Sequence, residues 1–558
     1  MKNKIIKAAA LLAAGLIGCQ PAQQQQETTE VKAPFIWENA NVYFMLTDRF
    51  HNGNQENDQQ FERNEDAAKL RGFMGGDLKG ITEKIEEGYF DKLGTTALWF
   101  SPVAEQIHGG VDEGTGYTYA FHGYWASDWT SIDPNFGSEE ELAELVETAH
   151  AHGIRVLLDV VINHTGPVTE VDPVWPEEWV RTSPQCKYQD YESTVSCTLV
   201  ENLPDIHTGS EQDVELPPML VEKWKKEGRY EAEVASLDAF FKETGYPRAP
   251  KYYIIKWLTD LIRKYGVDGF RVDTVKHTEP GVWADLKKEA DRAFAEWKKA
   301  NPSKVLDDND FHMLGEVYNY SISNAQMFNF GDTAVNYFDH GFNSLINFEF
   351  IWNTQQLSYE EMFTKYDTIL HGPMAEYTVL NYLTSHDDGN SYDKERENPF
   401  FAANRLLLSP GGAQVYYGDE ISRVLKVEGA DGDANLRSYM DWEGLEKGGE
   451  VSGNKMTDVL KHYQKLGTFR KMHPAIGAGR HQMLTESPYV FSRTYEENNV
   501  NDKVVVGLDL AKGKKEISVD GVFTDGDRLT DHYSGKEVEV KGGKVALDTE
   551  YEVVLLSK

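Results

Sequence analysis

The chain has 558 residues, and 56 basic against 91 acidic side chains leave a net charge of −35. That length exceeds one ordinary core, and a barrel of roughly 250–400 residues with smaller modules fits it. The acid excess excludes a nucleic-acid partner, which needs a basic face; otherwise it does no more than favour solubility.

At the N-terminus, Lys2, Lys4 and Lys7 flank and precede an apolar run, Ala8–Ile17, that is too short to span a bilayer as a resident helix. The run leads into Leu16-Ile17-Gly18-Cys19. This resembles a bacterial lipoprotein signal, which implies removal of residues 1–18 and a lipid on Cys19. Gln20, not Asp, follows, and the same resemblance then implies sorting to the outer membrane, facing the periplasm or the cell surface. The rest of residues 19–33, with its polar QPAQQQQETTE stretch, reads as a flexible tether.

From about Trp37 to Glu420 the chain alternates between strand-like and helix-like segments. Apolar, β-rich runs fall at Val42–Thr47, Thr96–Ser101, Arg155–Ile162, Gly269–Val272, Met313–Val317, Leu345–Phe350, Val379–Thr384 and Gln414–Tyr417. Helical stretches such as Glu139–His150 and Tyr252–Tyr265 separate most of them. Eight such runs predict an α/β fold, a (β/α)8 barrel assigned to residues 34–165 and 249–474. Residues 166–248 interrupt the rhythm after the third run and read as an inserted subdomain, not a structureless loop. It holds Cys186 and Cys197; if Cys19 is acylated these are the two cysteines left, and an oxidising compartment lets them pair. Beyond Pro474, Tyr489–Tyr495, Lys503–Leu510, Glu516–Val519 and Tyr551–Leu556 alternate around Gly/Asp turns. They predict a C-terminal antiparallel β-sandwich over residues 475–558.

Asp273, Glu316 and Asp387 stand at the C-terminal ends of predicted strands, where such barrels carry their sites. Three carboxylates there suit glycosidic bond cleavage, as nucleophile, proton donor and stabiliser of a charged transition state. Arg271 lies two residues before Asp273, on the same strand face, and is expected to keep it ionised. The aromatic content, 12 % with 28 Tyr and 12 Trp, suits a surface that stacks sugar rings.

Four segments in order, DVVINH at 159–164, GFRVDTVKH at 269–277, GEVY at 315–318 and TSHDD at 384–388, resemble the α-amylase family of retaining glycoside hydrolases. The resemblance runs from about Phe35 to the C-terminus. PGGAQVYYGDE at 410–420 and RSYMDW at 437–442 are most similar to periplasmic bacterial members, with Ala413 where a proline is common. The resemblance implies Asp273 as nucleophile, Glu316 as general acid/base and Asp387 as the third carboxylate. It implies His122, His164 and His386 at the cleavage point, Tyr124 stacking under the sugar, and Lys276 and His277 on the acceptor side. It also implies calcium, at one or two structural sites. Asn163, Asp205 and the His277 carbonyl form one candidate set; Asn52, Asn54, Asn57, Asp58, Asp77 and the Gly75 carbonyl form the other, all of them hard oxygen donors.

The expectation is a lipid-anchored, calcium-dependent enzyme cleaving internal α-1,4 bonds of starch, glycogen or maltodextrins. A cyclomaltodextrinase or glucanotransferase of the same family is the first alternative. An inactive glycan-binding lipoprotein is the alternative from another class, and the intact carboxylate set argues against it. Oligomeric state is not legible.

Overall fold

The computed structural model describes residues 34–63, 66–497 and 499–558. The expected signal, Cys19 and the tether therefore lie outside the described residues. Eight strands, β1 (Asn41–Met45), β2 (Ala97–Phe100), β3 (Arg155–Val160), β4 (Gly269–Val272), β5 (His312–Gly315), β6 (Ser344–Asn347), β7 (Thr378–Asn381) and β8 (Gly412–Tyr416), form a closed barrel. Neighbours pair in parallel all the way round, and β1 closes the ring by pairing Val42 with Ala97 on one side and Gln414 on the other. The strands are buried almost throughout because helices cover one face and the barrel core fills the other. That is why they read as continuous apolar runs. Each observed strand overlaps its predicted run. The sixth ends at Asn347, where the chain turns into a helix at Glu349.

The main helices, in chain order, are α1 (Leu78–Glu86), α2 (Glu139–Ala151), α3 (Pro218–Glu227), α4 (Tyr230–Thr244), α5 (Pro250–Tyr265), α6 (Pro280–Ala300), α7 (Glu349–Gln356), α8 (Tyr359–Leu370), α9 (Pro399–Leu407) and α10 (Met456–Met472). Local chemistry sets their ends. Asp77 caps α1 by accepting from Gly80 N, and Ser138 and Glu141 form a reciprocal capping box on α2. Gly266 ends α5 at φ 73°, and a Cβ there would stand 2.0 Å from the Trp297 ring of α6. The β5–β6 connection breaks the alternation. In place of an α-helix it carries 3-10 turns at Ile322–Asn324 and Tyr337–His340, and an antiparallel hairpin of Met327–Asn329 with Ala334–Asn336.

The segment between β3 and α5 holds α3, α4, a one-turn helix at Glu192–Val195, and a short antiparallel pair, Val180–Arg181 with Asp205–Ile206. Cys186 and Cys197 are disulfide-bonded. At the C-terminus, β9 (Arg480–Thr485), β10 (Tyr489–Glu497), β11 (Val500–Leu508), β12 (Gly513–Ser518), β13 (Arg528–Asp531), β14 (Lys536–Glu539), β15 (Lys544–Thr549) and β16 (Val554–Ser557) form a six-stranded sheet and the separate pair β12–β15. Val505, Val554 and Leu556 of the sheet share a core with Ile517, Val545 and Leu547 of the pair, which makes a β-sandwich.

Two buried arginines brace this end of the molecule, one tying α10 to the barrel and the other joining the β-sandwich to it. Arg470 of α10 donates to the carbonyls of Asn39, Leu407, Ser409 and Gly411; Arg493 of β10 donates to those of Leu408 and Ile476. Burial lowers Arg470 to about 9 and Arg493 to about 10, each further lowered or relieved by its charged neighbours. Among the described residues no helix is long and apolar enough to cross a membrane. Arg470→Met should leave those carbonyls without donors and destabilise the fold by about 3–5 kcal/mol; urea unfolding of the two proteins measures it, and equal midpoints would refute the role.

Candidate active site

The C-terminal ends of β3, β4 and β5 bring Asp159, Arg271, Asp273 and Glu316 together. Parallel register alone places Arg271 beside Asp159 and next to Leu314, two residues before Glu316. The Arg271 guanidinium is at the centre. Its Nη1 donates to Asp273 Oδ1 at 2.8 Å and to Asp159 Oδ1 at 3.0 Å, and its Nη2 lies 3.0 Å from Glu316 Oε1. The other Glu316 oxygen accepts from Thr274 N at 3.1 Å. Thr274 is left-handed, at φ 49°, a costly conformation for a β-branched residue that aims its N–H at the acid.

The three carboxylates have different proton affinities. Burial, the Asp273 charge and the Asp387 charge push Glu316 up to about 7, against Arg271 and the Thr274 amide. Burial pushes Asp273 up to about 6; Arg271 opposes it, while Asp159 and Asp387 add to it. Arg271 therefore moderates the rise at Asp273 instead of reversing it, because the one cation is shared among three anions. Burial would raise Asp387 as well, but His386, Arg437 and Arg271 outweigh it and hold that carboxyl below the ordinary range. Near neutrality, then, Asp387 is ionised, Asp273 is mostly ionised and Glu316 keeps a substantial protonated fraction. That is the division of labour a nucleophile and an acid/base pair need.

Asp159 also orders the aromatic side of the site. It accepts from Tyr124 Oη at 2.7 Å and Trp99 Nε1 at 2.9 Å. The Tyr124 ring stacks on His386, with centroids 5.2 Å apart and planes 15° apart. Tyr124 N donates to His122 Nδ1 at 3.1 Å, and His164 Nε2 meets the Tyr124 carbonyl at 3.1 Å. Burial lowers His122 well below the ordinary histidine value and His164 to about 4, so both are neutral. With Nδ1 accepting, His122 carries its proton on Nε2, a donor available to a sugar hydroxyl.

His386 Nε2 lies 2.8 Å from Asp387 Oδ2. Arg437, marked in the sequence only by the RSYMDW resemblance, donates Nη2 to Asp387 Oδ1 at 2.5 Å and Nε to the His386 carbonyl at 3.1 Å. Trp99 and Arg437 are thus the site residues missing from the sequence-based set, whereas Asp159 stands in the DVVINH segment at a strand end, with no role assigned to it there. Asp387 itself is 44 % exposed and faces the cleft. Beside it a hollow of about 410 Å³ extends past Lys394, Asp433 and Asn435. On the other side, Lys276 Nζ donates to the Tyr318 carbonyl at 3.2 Å, and the His277 ring is buried with Nδ1 3.0 Å from the Thr194 carbonyl.

The first candidate metal set converges, and of the second Asn52, Asp58 and Gly75 do. Asn163 Nδ2 donates to Asp205 Oδ1 at 2.9 Å and to the His277 carbonyl at 3.0 Å; with its amide turned over, Asn163 would present an oxygen at the same point. Burial pushes Asp205 up to about 8, and Arg181, 2.8 Å from its Oδ2, opposes the rise. In the second set, Asn52 Oδ1 and both polar side-chain atoms of Asn57 are buried with no hydrogen-bond partner. Asn52 Nδ2 donates to Asp58 Oδ1 at 2.7 Å. Gly75 is left-handed at φ 87°, and a Cβ there would stand 2.5 Å from Asn52 Nδ2 and 2.7 Å from Asp58 Oδ1. Asp77 is already engaged by the amides of Gly53, Asn54 and Gly80, and Asn54 Oδ1 accepts from Glu56 N at the surface. Among the described residues no group of three or more His, Cys, Asp or Glu could hold a metal. Both sets depend instead on Asn amides and main-chain carbonyls, which are calcium donors. The orphaned Asn52 and Asn57 oxygens make the second set a good fit to that ion.

A closed parallel barrel with a proton-donor carboxyl and a nucleophile carboxylate at its strand ends is the equipment of a glycoside hydrolase. Residues 44–479 match the family model described as alpha amylase, catalytic domain, and the chain belongs to the α-amylase family. It is 36 % identical to the periplasmic alpha-amylase of Escherichia coli (strain K12), across 88 % of this chain and 76 % of that one. Against the cyclomaltodextrin glucanotransferase of Thermoanaerobacterium thermosulfurigenes it is 26 % identical, across 82 % of this chain and 58 % of the other, so it spans less than two thirds of that relative. The alpha-amylase structure from Geobacillus thermoleovorans, complexed with acarbose, matches in fold with a TM-score of 0.64 at 21 % identity, covering 94 % of this chain and 100 % of that chain.

The ionisation pattern sets a pH window. Activity should fall as pH drops through about 6, where Asp273 gains a proton, and fall as pH rises through about 7, where Glu316 loses one. A narrow bell in kcat/KM against pH is the expected profile; a plateau reaching to pH ~9 would show that Glu316 is not the acid.

Proposed function

We propose that the protein is a retaining α-amylase that hydrolyses internal α-1,4 bonds of an α-glucan such as starch, glycogen or maltodextrin. The observation that carries this reading is the single buried guanidinium of Arg271 holding Asp273 and Glu316 together with their proton affinities set apart. Glu316 gives its proton to the glycosidic oxygen as Asp273 attacks the anomeric carbon. The C–O bond to the leaving sugar breaks and a glycosyl ester with Asp273 forms. Glu316, now ionised, takes a proton from water, whose oxygen attacks the same carbon, and Asp273 leaves as carboxylate. Asp387 and the neutral His122 and His164 bind sugar hydroxyls, and Tyr124 offers a flat face to the ring. Similarity to the Escherichia coli periplasmic alpha-amylase favours hydrolysis over the transfer named in the glucanotransferase relatives.

Calcium is part of the proposal, held by Asn52, Asn57, Asp58 and the Gly75 carbonyl, with a second ion at Asn163, Asp205 and the His277 carbonyl. A bound ion would fix the loops that carry these residues. Export is supported by the disulfide and by the periplasmic relative. A lipid on Cys19, with outer-membrane attachment, rests on the sequence resemblance.

Soluble protein beginning after Cys19 should convert maltoheptaose to mixed oligosaccharides that are first released in the α-configuration, as read by chromatography and NMR. Glu316→Gln and Asp273→Asn should each lose at least about 10³-fold in kcat. Absence of cleavage, or β-configured products, would refute the reading. For calcium, EDTA should lower Tm by several degrees and added Ca²⁺ should restore it; a Tm indifferent to both would remove the metal from the proposal.

A further inference from the structure

Beneath the catalytic carboxylates the barrel interior holds a small cavity of about 20 Å³, whose lining includes Trp99, Arg271, Ile346, His386 and Gln414. Gln414 comes from β8, the strand directly across the barrel from β4. Followed through β3, β2 and β1, the strand register brings Arg271 level with Gly418; followed through β5, β6 and β7, it brings Arg271 level with Pro410. Gln414 is midway between the two, at the height of Arg271 on the opposite wall. Both side chains are buried.

Three buried polar atoms of this lining have no hydrogen-bond partner: Arg271 Nε, Gln414 Oε1 and His386 Nδ1. The other ends of the same groups are committed. Arg271 gives Nη1 to Asp159 and Asp273, and its Nη2 lies 3.0 Å from Glu316. Gln414 Nε2 donates to the Thr384 carbonyl at 3.3 Å; that carbonyl needs the NH2 end, which fixes Oε1 on the other side. His386 Nε2 faces Asp387 Oδ2 at 2.8 Å. A carboxylate there takes the proton-bearing nitrogen and leaves Nδ1 as an acceptor. The lining therefore offers one donor, Arg271 Nε–H, and two acceptors. An unpaired N–H on a buried guanidinium is costly because it belongs to a charge.

A single water has the complementary pattern. Its oxygen accepts from Arg271 Nε, and its two hydrogens go to Gln414 Oε1 and His386 Nδ1. Three bonds are usual for a buried water, and the cavity has room for one. We propose that Gln414 is a positioning residue, anchoring a buried water that joins the cation beside the nucleophile to the histidine beside the third carboxylate. This rests on the retaining α-amylase reading of the site. Gln414 touches no reacting atom. Its effect runs by two routes. The water holds the guanidinium from within the barrel, while Asp159, Asp273 and Glu316 hold its other nitrogens. It also fixes the tautomer in which His386 donates to Asp387, whose other oxygen is held by Arg437.

A high-resolution crystal structure of the wild-type protein should show one water within about 3.2 Å of Arg271 Nε, Gln414 Oε1 and His386 Nδ1. No water there, or a water that misses any of the three, would overturn the inference. Gln414→Met keeps the volume and removes the acceptor. It should lose the water and lower kcat on maltoheptaose about tenfold with KM within about twofold, because Arg271 and Asp387 act most on the charged transition state. In 15N NMR, His386 should carry its proton on Nε2 in the wild type and show a mixture of tautomers in this variant. Gln414→Glu, which keeps an acceptor oxygen, should retain both the water and the tautomer. A water lost from both variants alike would assign the effect to the Thr384 bond and overturn the role, as would Gln414→Met with a lowered Tm but unchanged kcat and tautomer. If the wild-type protein does not cut maltoheptaose, the α-glucan reading fails, and the water and the tautomer still decide the inference.

Discussion

One buried cation governs this site. The Arg271 side chain is essentially inaccessible to solvent, and the anions of Asp159, Asp273 and Glu316 are all within hydrogen-bond distance of it. Removing such a charge from water is costly, and only well-placed partners offset it. Three carboxylates without the guanidinium would repel one another and protonate. The guanidinium without them would be a bare buried charge. Barrel closure resolves both problems together, because the parallel register of β3, β4 and β5 delivers the partners with no freedom left over. The aromatic wall follows from the same arrangement, since Tyr124 and Trp99 are both bonded to Asp159, which itself depends on Arg271.

The turn after the nucleophile is the second fixed point. Its His277 carbonyl receives the Asn163 amide, its His277 ring meets the Thr194 carbonyl, and the Val275 amide donates to the Glu316 carbonyl. A strand end, an inserted loop and the acid's own backbone therefore converge on three residues. An ion at Asn163 and Asp205 would tighten a clamp that the hydrogen bonds already outline. Displacement of this turn would shift the Thr274 amide, and with it an opposing influence on the Glu316 proton.

What the sequence made legible tracks how strongly each element is constrained. The eight barrel strands are buried on both faces, so their apolar runs stand out, and the residues at their ends share one rim by topology alone. Asp273, Glu316, Arg271 and Asp387 could be placed for that reason. Outer strands of the sandwich such as Lys544–Thr549 bury alternate residues only, and Lys536–Glu539 is mostly exposed; neither carries a strong pattern. The helix-free β5–β6 connection and the helices α3 and α4 follow from packing against neighbours, which no local pattern records. Arg437 sits 50 residues from Asp387, and only tertiary structure reveals their contact.

The two ends of the cleft differ in how they are built. At Asp387 the holding residues form a chain of alternating charges: Arg437 bonds both Asp387 and Asp433, and Asp433 is bonded in turn by the buried Arg71. Loss of either carboxylate leaves a buried guanidinium short of a partner, so this end tolerates little change. The leaving-group side rests on exposed aromatics carried by loops, such as Tyr318, where a substitution leaves no buried charge unpaired. Change is therefore cheaper on the leaving-group side than at Asp387. That side also receives whatever attacks the glycosyl ester, water or a sugar hydroxyl, so the balance between hydrolysis and transfer is most easily adjusted there.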